Sequence, residues 1–271
     1  MSTDTASPGA STTTDAGLAT LVRAIAKKRV LLLMRYPVNT LSQFGVMYLV
    51  FLIVFFGGRA IAGAALAESI EGIIVGYMLW SVSITAYSGL AWNVTRESQW
   101  GTLEQLFMSP FGFGRVMAIK TAVNVLEAFL WGVLILALML VTTGQSLVIE
   151  PVTVLTLGVL AVAPAVGVGF AMGALALLYK RVENAFNIVQ FVLIGLIAAP
   201  VSQYPLLKWL PLAQGSHLLG RAMTDGVRLW ELPITELAIL VATAVGYLGV
   251  GYLVFHRAQR RARRKGVMGH Y

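Results

Sequence analysis

Lys120, Asn124, Glu127 and Trp131 follow one another at intervals of four, three and four residues. That spacing puts their side chains on one face of a helix. A base, an amide and an acid inside an apolar segment are costly in hydrocarbon, so they mark a transport pathway, a proton relay or a partner. Lys120 is near enough to the end of its segment to reach the headgroup layer. Glu127 lies deeper and must face protein or a wet cavity. Two roles fit it: contact with a substrate or control of a helix interface, and a structural pairing with Asn124 or a neighbouring helix. Asn184, Asn187 and Gln190 form a second polar edge, whose expected role is packing between helices.

Other chemistry is missing from the sequence. No glycine is followed by lysine, so the loop that cradles nucleotide phosphates is absent. His217, His256 and His270 are scattered and form no metal-binding H-E-x-x-H pair. No G-x-S-x-G elbow occurs. With no cysteine, disulfides and thiolate metal sites are excluded. Glu97 and Glu104 are seven apart and share a helical face, yet no further carboxylate or histidine stands nearby to complete a lipid-modifying site. The expectation is a chain with no catalytic residues, no metal and no cofactor of its own.

The elements that position these residues are membrane spans. Of 271 residues, 58% are hydrophobic and 12% charged, about half the charged fraction of a soluble domain. The apolar residues come in blocks of about 20, enough helix to cross a hydrocarbon layer of about 30 Å. Six such spans are expected, at 38–56, 70–92, 116–141, 152–178, 184–201 and 234–255, within a transmembrane domain of residues 37–256. The fold class is therefore all-α and polytopic. Pro164 lies inside the fourth span and Gly167, Gly169 and Gly173 follow it. Small residues at such spacings let helices approach closely, which puts that span at the bundle centre.

Residues 1–17 are Ser, Thr, Ala, Gly and Asp with one proline. They are expected to be a disordered tail and lack the features of a signal peptide. Residues 18–36 carry Leu21, Val22, Ile25 and Leu32 at helical spacing, with Arg23, Lys27 and Lys28 on another face. That pattern fits an amphipathic helix in the membrane interface, with a bend at Pro37.

Charge gives the orientation. The net charge is +8, but the basic residues sit beside the ends of apolar blocks, which speaks for membrane topology and against nucleic acid. With the N-terminus inside, segments 18–36, 93–115, 179–183 and 256–271 hold 15 Lys or Arg, and the outer segments hold 4. Both termini are thus expected in the cytoplasm of a multi-pass cell-membrane protein. The tail, 257–271, carries Arg257, Arg260, Arg261, Arg263, Arg264 and Lys265, an anchor for topology or a contact for anionic lipid. Asn93-Val94-Thr95 matches a glycosylation acceptor but falls on the cytosolic side.

The segment from Arg96 to Pro110 is too long and too patterned for a plain connector. Thr102 can cap a short helix bearing Leu103, Leu106 and Phe107 on one side, ended by Pro110 and Gly112. An amphipathic cytosolic helix between two spans needs something to dock against. This stretch resembles the E-x-x-x-G-T-L-E-x-L-x-x-[ST]-P signature of ABC transporter permeases of the type-2 exporter class, through Glu97, Gly101, Thr102, Leu103, Glu104, Leu106, Ser109 and Pro110. The resemblance extends over nearly the whole chain. Pro205, Leu210-Pro211-Leu212, Leu219-Gly220-Arg221 and Gly226 fit the family's re-entrant hairpin between the last two spans.

The resemblance implies a permease dimer, here a homodimer, above two cytosolic ATPase subunits that hold ATP and Mg. Glu97, Gly101, Thr102, Leu103, Glu104, Gln105, Leu106 and Pro110 would then belong to the coupling helix that fits a cleft in the ATPase. The cargo would be an amphiphile (a drug, a lipid or a lipid-linked saccharide), which suits Phe44, Tyr48, Trp80, Phe129 and Trp131 in the spans. The alternative is an ion-coupled secondary transporter with Glu127 as proton carrier. Inverted repeats would favour it, and no such repeat is evident.

Overall fold

A computed structural model describes residues 12–62, 70–99, 103–179 and 182–265. Every regular element among them is helical: α1 (Thr12–Arg35), α2 (Pro37–Ala62), α3 (Ile70–Gln99), α4 (Leu103–Phe107), α5 (Phe113–Thr143), α6 (Pro151–Leu178), α7 (Glu183–Ile197), α8 (Ala213–Thr224) and α9 (Ile234–Lys265). Short 3-10 turns at Pro205–Trp209 and Leu229–Glu231 flank α8. Five helices, α2, α3, α5, α6 and α9, are long and apolar enough to cross a membrane. The chain is a membrane-embedded, multi-pass helical protein.

The fifth expected span differs. Within 184–201 the structure has α7, of 15 residues, which covers only about 22 Å. It stops at Ile197 because Pro200 has no N–H to donate and disfavours helical geometry at Ala199. A turn replaces it, with Ala199 N donating to Leu196 O at 3.3 Å and Tyr204 N to Pro200 O at 3.1 Å.

The N-terminal region differs too. Helix α1 begins at Thr12, inside the stretch expected to be disordered; residues 1–11 lie outside the described residues. Its second half, Val30 to Met34, is apolar on every side, with Val30, Leu31 and Met34 exposed. The amphipathic pattern therefore holds only up to Arg29. The bend falls at Tyr36, where α1 gives way to α2 with Pro37 in the first turn. Proline is pre-organised for that position, since its missing N–H would have no partner there.

Helix α6 occupies the centre, packed against α3, α8 and α9. Pro164 is buried inside it and the helix continues through. Where α6 crosses α9, a Cβ added at Gly251 would lie 2.0 Å from Gly167 O, and one at Gly167 would lie 2.3 Å from Tyr247 O. No residue larger than glycine fits either place without separating the helices. Helix α8 is held by α9: Glu236 accepts from Lys208 Nζ at 3.4 Å and from Arg221 at 3.3 Å. Leu212, just before α8, has a φ of 69°, a left-handed conformation that side chains seldom adopt. It persists because the residue is buried and its carbonyl accepts from Ser216 N at 2.7 Å.

The elements also define two ends of the bundle. At one, Phe111 lies against Gly17 of α1, and Arg263 of α9 lies 5.0 Å over the Phe107 ring of α4. At the other, Val148 N donates to Met223 O at 2.9 Å and Leu229 N to Thr153 Oγ1 at 3.0 Å. Helices α1, α4 and the end of α9 thus share one end.

Candidate functional site

Helix α5 carries the polar face proposed from spacing, and its three polar residues reach two other helices. Lys120 Nζ donates to Glu97 Oε1 of α3 at 2.9 Å, with both side chains mostly buried. Asn124 Nδ2 donates to the Thr85 carbonyl of α3 at 2.8 Å. Gly89 makes that approach possible, since a Cβ there would lie 2.0 Å from Asn124 Nδ2.

Glu127 pairs with Arg29 of α1. Arg29 Nη2 donates to Oε1 at 3.0 Å and Arg29 Nε donates to Oε2. Trp131 Nε1 adds a donor to Oε1 at 3.3 Å. The predicted partner Asn124 is not used; of the two structural options, the neighbouring helix supplies the pairing. Both oxygens of the carboxylate are engaged, and a planar guanidinium held bidentately favours a fixed ionic contact.

Arg29 is the partner that the spacing argument overlooked. It lies four residues after Ile25 and three before Leu32, so it sits on the apolar face of α1, unlike Lys27; Lys28, three after Ile25 and four before Leu32, shares that face and lines the same recess. A cation on the apolar side of a membrane helix calls for an anion opposite.

The loop signature is only partly described. Glu97 lies in the last turn of α3, and Leu103–Phe107 form the short helix α4. Gly101 and Thr102 lie outside the described residues, as do the side chains of Leu103 and Glu104. Gln105 and Pro110 are exposed, while Leu106 packs against the core. After α4 the chain turns through Gly112, with a φ of 77°. The Phe107 and Phe113 rings then stack at 4.2 Å, and Phe113 lies 5.8 Å from Phe255 of α9. Asn184 and Asn187 are exposed on α7, so among the described residues they do not provide the helix packing expected of them.

Beside the α5 face lies a polar cleft of about 640 Å³ between α1, α2, α3 and α5, lined by Asn39, Gln43, Ser88, Trp92, Asn93 and Arg96 among others. A recess of about 270 Å³ continues from it, past Lys28 and Arg96 to Glu97 and Lys120. No group of three or more metal-ligating side chains occurs among the described residues. Comparison of the chain with protein-family models, with curated proteins and with solved structures returned no match.

Proposed function

We propose that this chain is the membrane-spanning subunit of an ATP-binding cassette exporter of the type-2 class, working as a homodimer with two cytosolic ATPase subunits. The observation that carries the reading is α4. It is a short helix between α3 and α5 that bears Leu103, Glu104 and Leu106 of the signature and is tied to the bundle at its trailing end. Before it, Glu97 ties the last turn of α3 to Lys120 of α5, and Phe107 fixes its trailing side through Phe113 and Arg263. A helix fastened in this way moves with the spans when an outside motor grips it.

Five full-length helices and the shorter α7 would make six crossings, with the turn after Ile197 and α8 forming a re-entrant hairpin at the outer end. The convergence of α1, α4 and the end of α9 at one end of the bundle supports an even number of crossings. The positive charge gathered there supports a cytoplasmic location for that end. Nucleotide binding in the ATPase would then shift the population between inward- and outward-facing bundles, carrying an amphiphile across.

Co-purification with an ATPase encoded beside this chain, followed by measurement of ATP hydrolysis in nanodiscs, tests the proposal. Stimulated hydrolysis is expected in the native complex. Glu104→Lys should abolish the stimulation while the chain remains folded. Full stimulation in that variant would remove the coupling role from α4.

A further inference from the structure

We infer that the polar cleft between α1, α2, α3 and α5 binds the phosphate-bearing headgroup of an amphiphile. The inference depends on the proposed function only in regarding that amphiphile as cargo. Charge comes first. Four cations, Lys28, Arg29, Arg96 and Lys120, line the cleft and its recess. Glu127 neutralises Arg29 and Glu97 neutralises Lys120. Lys28 and Arg96 have no carboxylate partner among the described residues; Arg96 Nε donates to the Trp92 carbonyl at 3.4 Å. Both line the same recess, leaving two uncompensated positive charges in a concave site walled by helices. Such walls concentrate the field on an entering anion.

The remaining lining fits a headgroup. Asn39, Gln43, Ser88 and Asn93 offer amide and hydroxyl groups on facing helices. They lie on helices that cross hydrocarbon, where an unused polar group is costly. A phosphate presents several acceptor oxygens and can take a guanidinium fork and an ammonium together. Leu32 and Leu33 line the same cleft, and Val38 and Leu41 stand exposed on the adjoining turns of α2. They give an acyl chain an apolar path out to the bilayer. A cleft of about 640 Å³ matches the size of small-molecule sites.

Calorimetric titration of the purified full chain in maltoside micelles tests this. The probes are dihexanoyl phosphatidic acid, dihexanoyl glycerol as its neutral counterpart, and inorganic phosphate. Saturable binding of the phosphatidic acid is expected. The double variant Lys28→Gln/Arg96→Gln should weaken it by about tenfold or more, the value of losing charge-assisted hydrogen bonds. Its thermal midpoint should match the native one, since both side chains are exposed. The tail variant Arg260→Gln/Arg264→Gln removes equal charge elsewhere and should leave binding within about twofold, because its charges lie outside the site and are screened by salt.

Equal binding of the glycerol would overturn the phosphate assignment. Inorganic phosphate binding as tightly as the lipid would overturn the amphiphile and leave a soluble anion. Equal weakening in the tail variant would reduce the effect to general surface charge. None of these titrations needs an ATPase, so failure here leaves the permease reading standing. Binding by a chain whose complex shows no stimulated hydrolysis would keep the site and remove that reading.

Discussion

Breaking the Arg29–Glu127 pair should release α1 from the bundle without unfolding the rest. The size of the effect follows from burial. An exposed ion pair contributes about 0.2–1 kcal/mol, and breaking a buried one by removing one partner costs about 3–5 kcal/mol. Here the Glu127 side chain is 9% exposed and the Arg29 side chain 39%, so solvent screens one partner and not the other. A coupling of about 1.5–2 kcal/mol is expected between those limits, or roughly 10–30-fold in an equilibrium. The assay is a double-mutant cycle of Arg29→Gln, Glu127→Gln and both together. It is read by hydrogen exchange of the α1 amides in nanodiscs, relative to α6 as an internal reference. Each single variant should speed α1 exchange by about that factor, and the double variant should be no worse than either single one. In an assembled complex, Glu127→Gln should lower transport more than it lowers association with the ATPase. If the two single effects simply add, to within about 0.3–0.5 kcal/mol, the residues do not act as a pair and the reasoning fails.

Gly251→Ala should cost about 1–3 kcal/mol through overpacking against Gly167, lowering the thermal midpoint in detergent. Gly246→Ala, where an added Cβ meets nothing within 4 Å, should leave the midpoint unchanged; equal behaviour of the two would contradict the close crossing. Glu150 caps α6 by accepting from Thr153 N at 2.6 Å, and hydrogen bonding from the Thr153 side chain first, then from its backbone N–H, with Arg228 nearby, holds its carboxyl below the usual 4.5. A lowered native pKa gives stability that is present above 4.5 and lost as pH falls through the lowered value. Unfolding scans from pH 6 to 3 should therefore show a steeper acid loss in the native chain than in Glu150→Gln; parallel curves would exclude the cap as the cause. Arg263→Gln removes the cation from the Phe107 ring, an interaction of about 0.5–1 kcal/mol. It should loosen α4, measured as faster exchange of residues 103–107; unchanged exchange would show that Phe113 holds the helix alone.

The long spans were legible because hydropathy and length alone decide them: five of the six expected segments contain full-length helices. The central place of α6 was legible as well, from the glycines after Pro164, since close approach of two backbones leaves no room for a side chain. The truncation of α7 was harder to see, because apolar residues continue to Val201 and only Pro200 says otherwise. The face of α5 emerged from intervals of four and three residues, yet its partners did not. Glu97, Thr85 and Arg29 lie 23, 39 and 98 residues away from their partners in the chain, and a periodicity argument covers only one helix at a time. Arg29 was the exception that periodicity contained: its place on the apolar side of α1 already asked for an anion. The cleft itself was not legible, since it is made by the approach of four helices.

The three contacts on α5 differ in a way that says which parts can move. Lys120, Asn124 and Glu127 span about 10 Å of helix rise, and the first two both end on α3. These contacts fasten α3 and α5 to each other, and the Phe107–Phe113 stack ties α4 to α5. Any rotation of α5 relative to α3 would strand Asn124 and Lys120 together, leaving two buried polar groups without partners. Helices α1 and α2 are attached far more lightly. Their packing on the rest is thin, most of their apolar surface is exposed, and Arg29 supplies the ionic link. A force applied at α4 is therefore expected to displace α3 and α5 as a unit against α1 and α2. The polar cleft lies along that seam, and its width is the quantity such a movement would change.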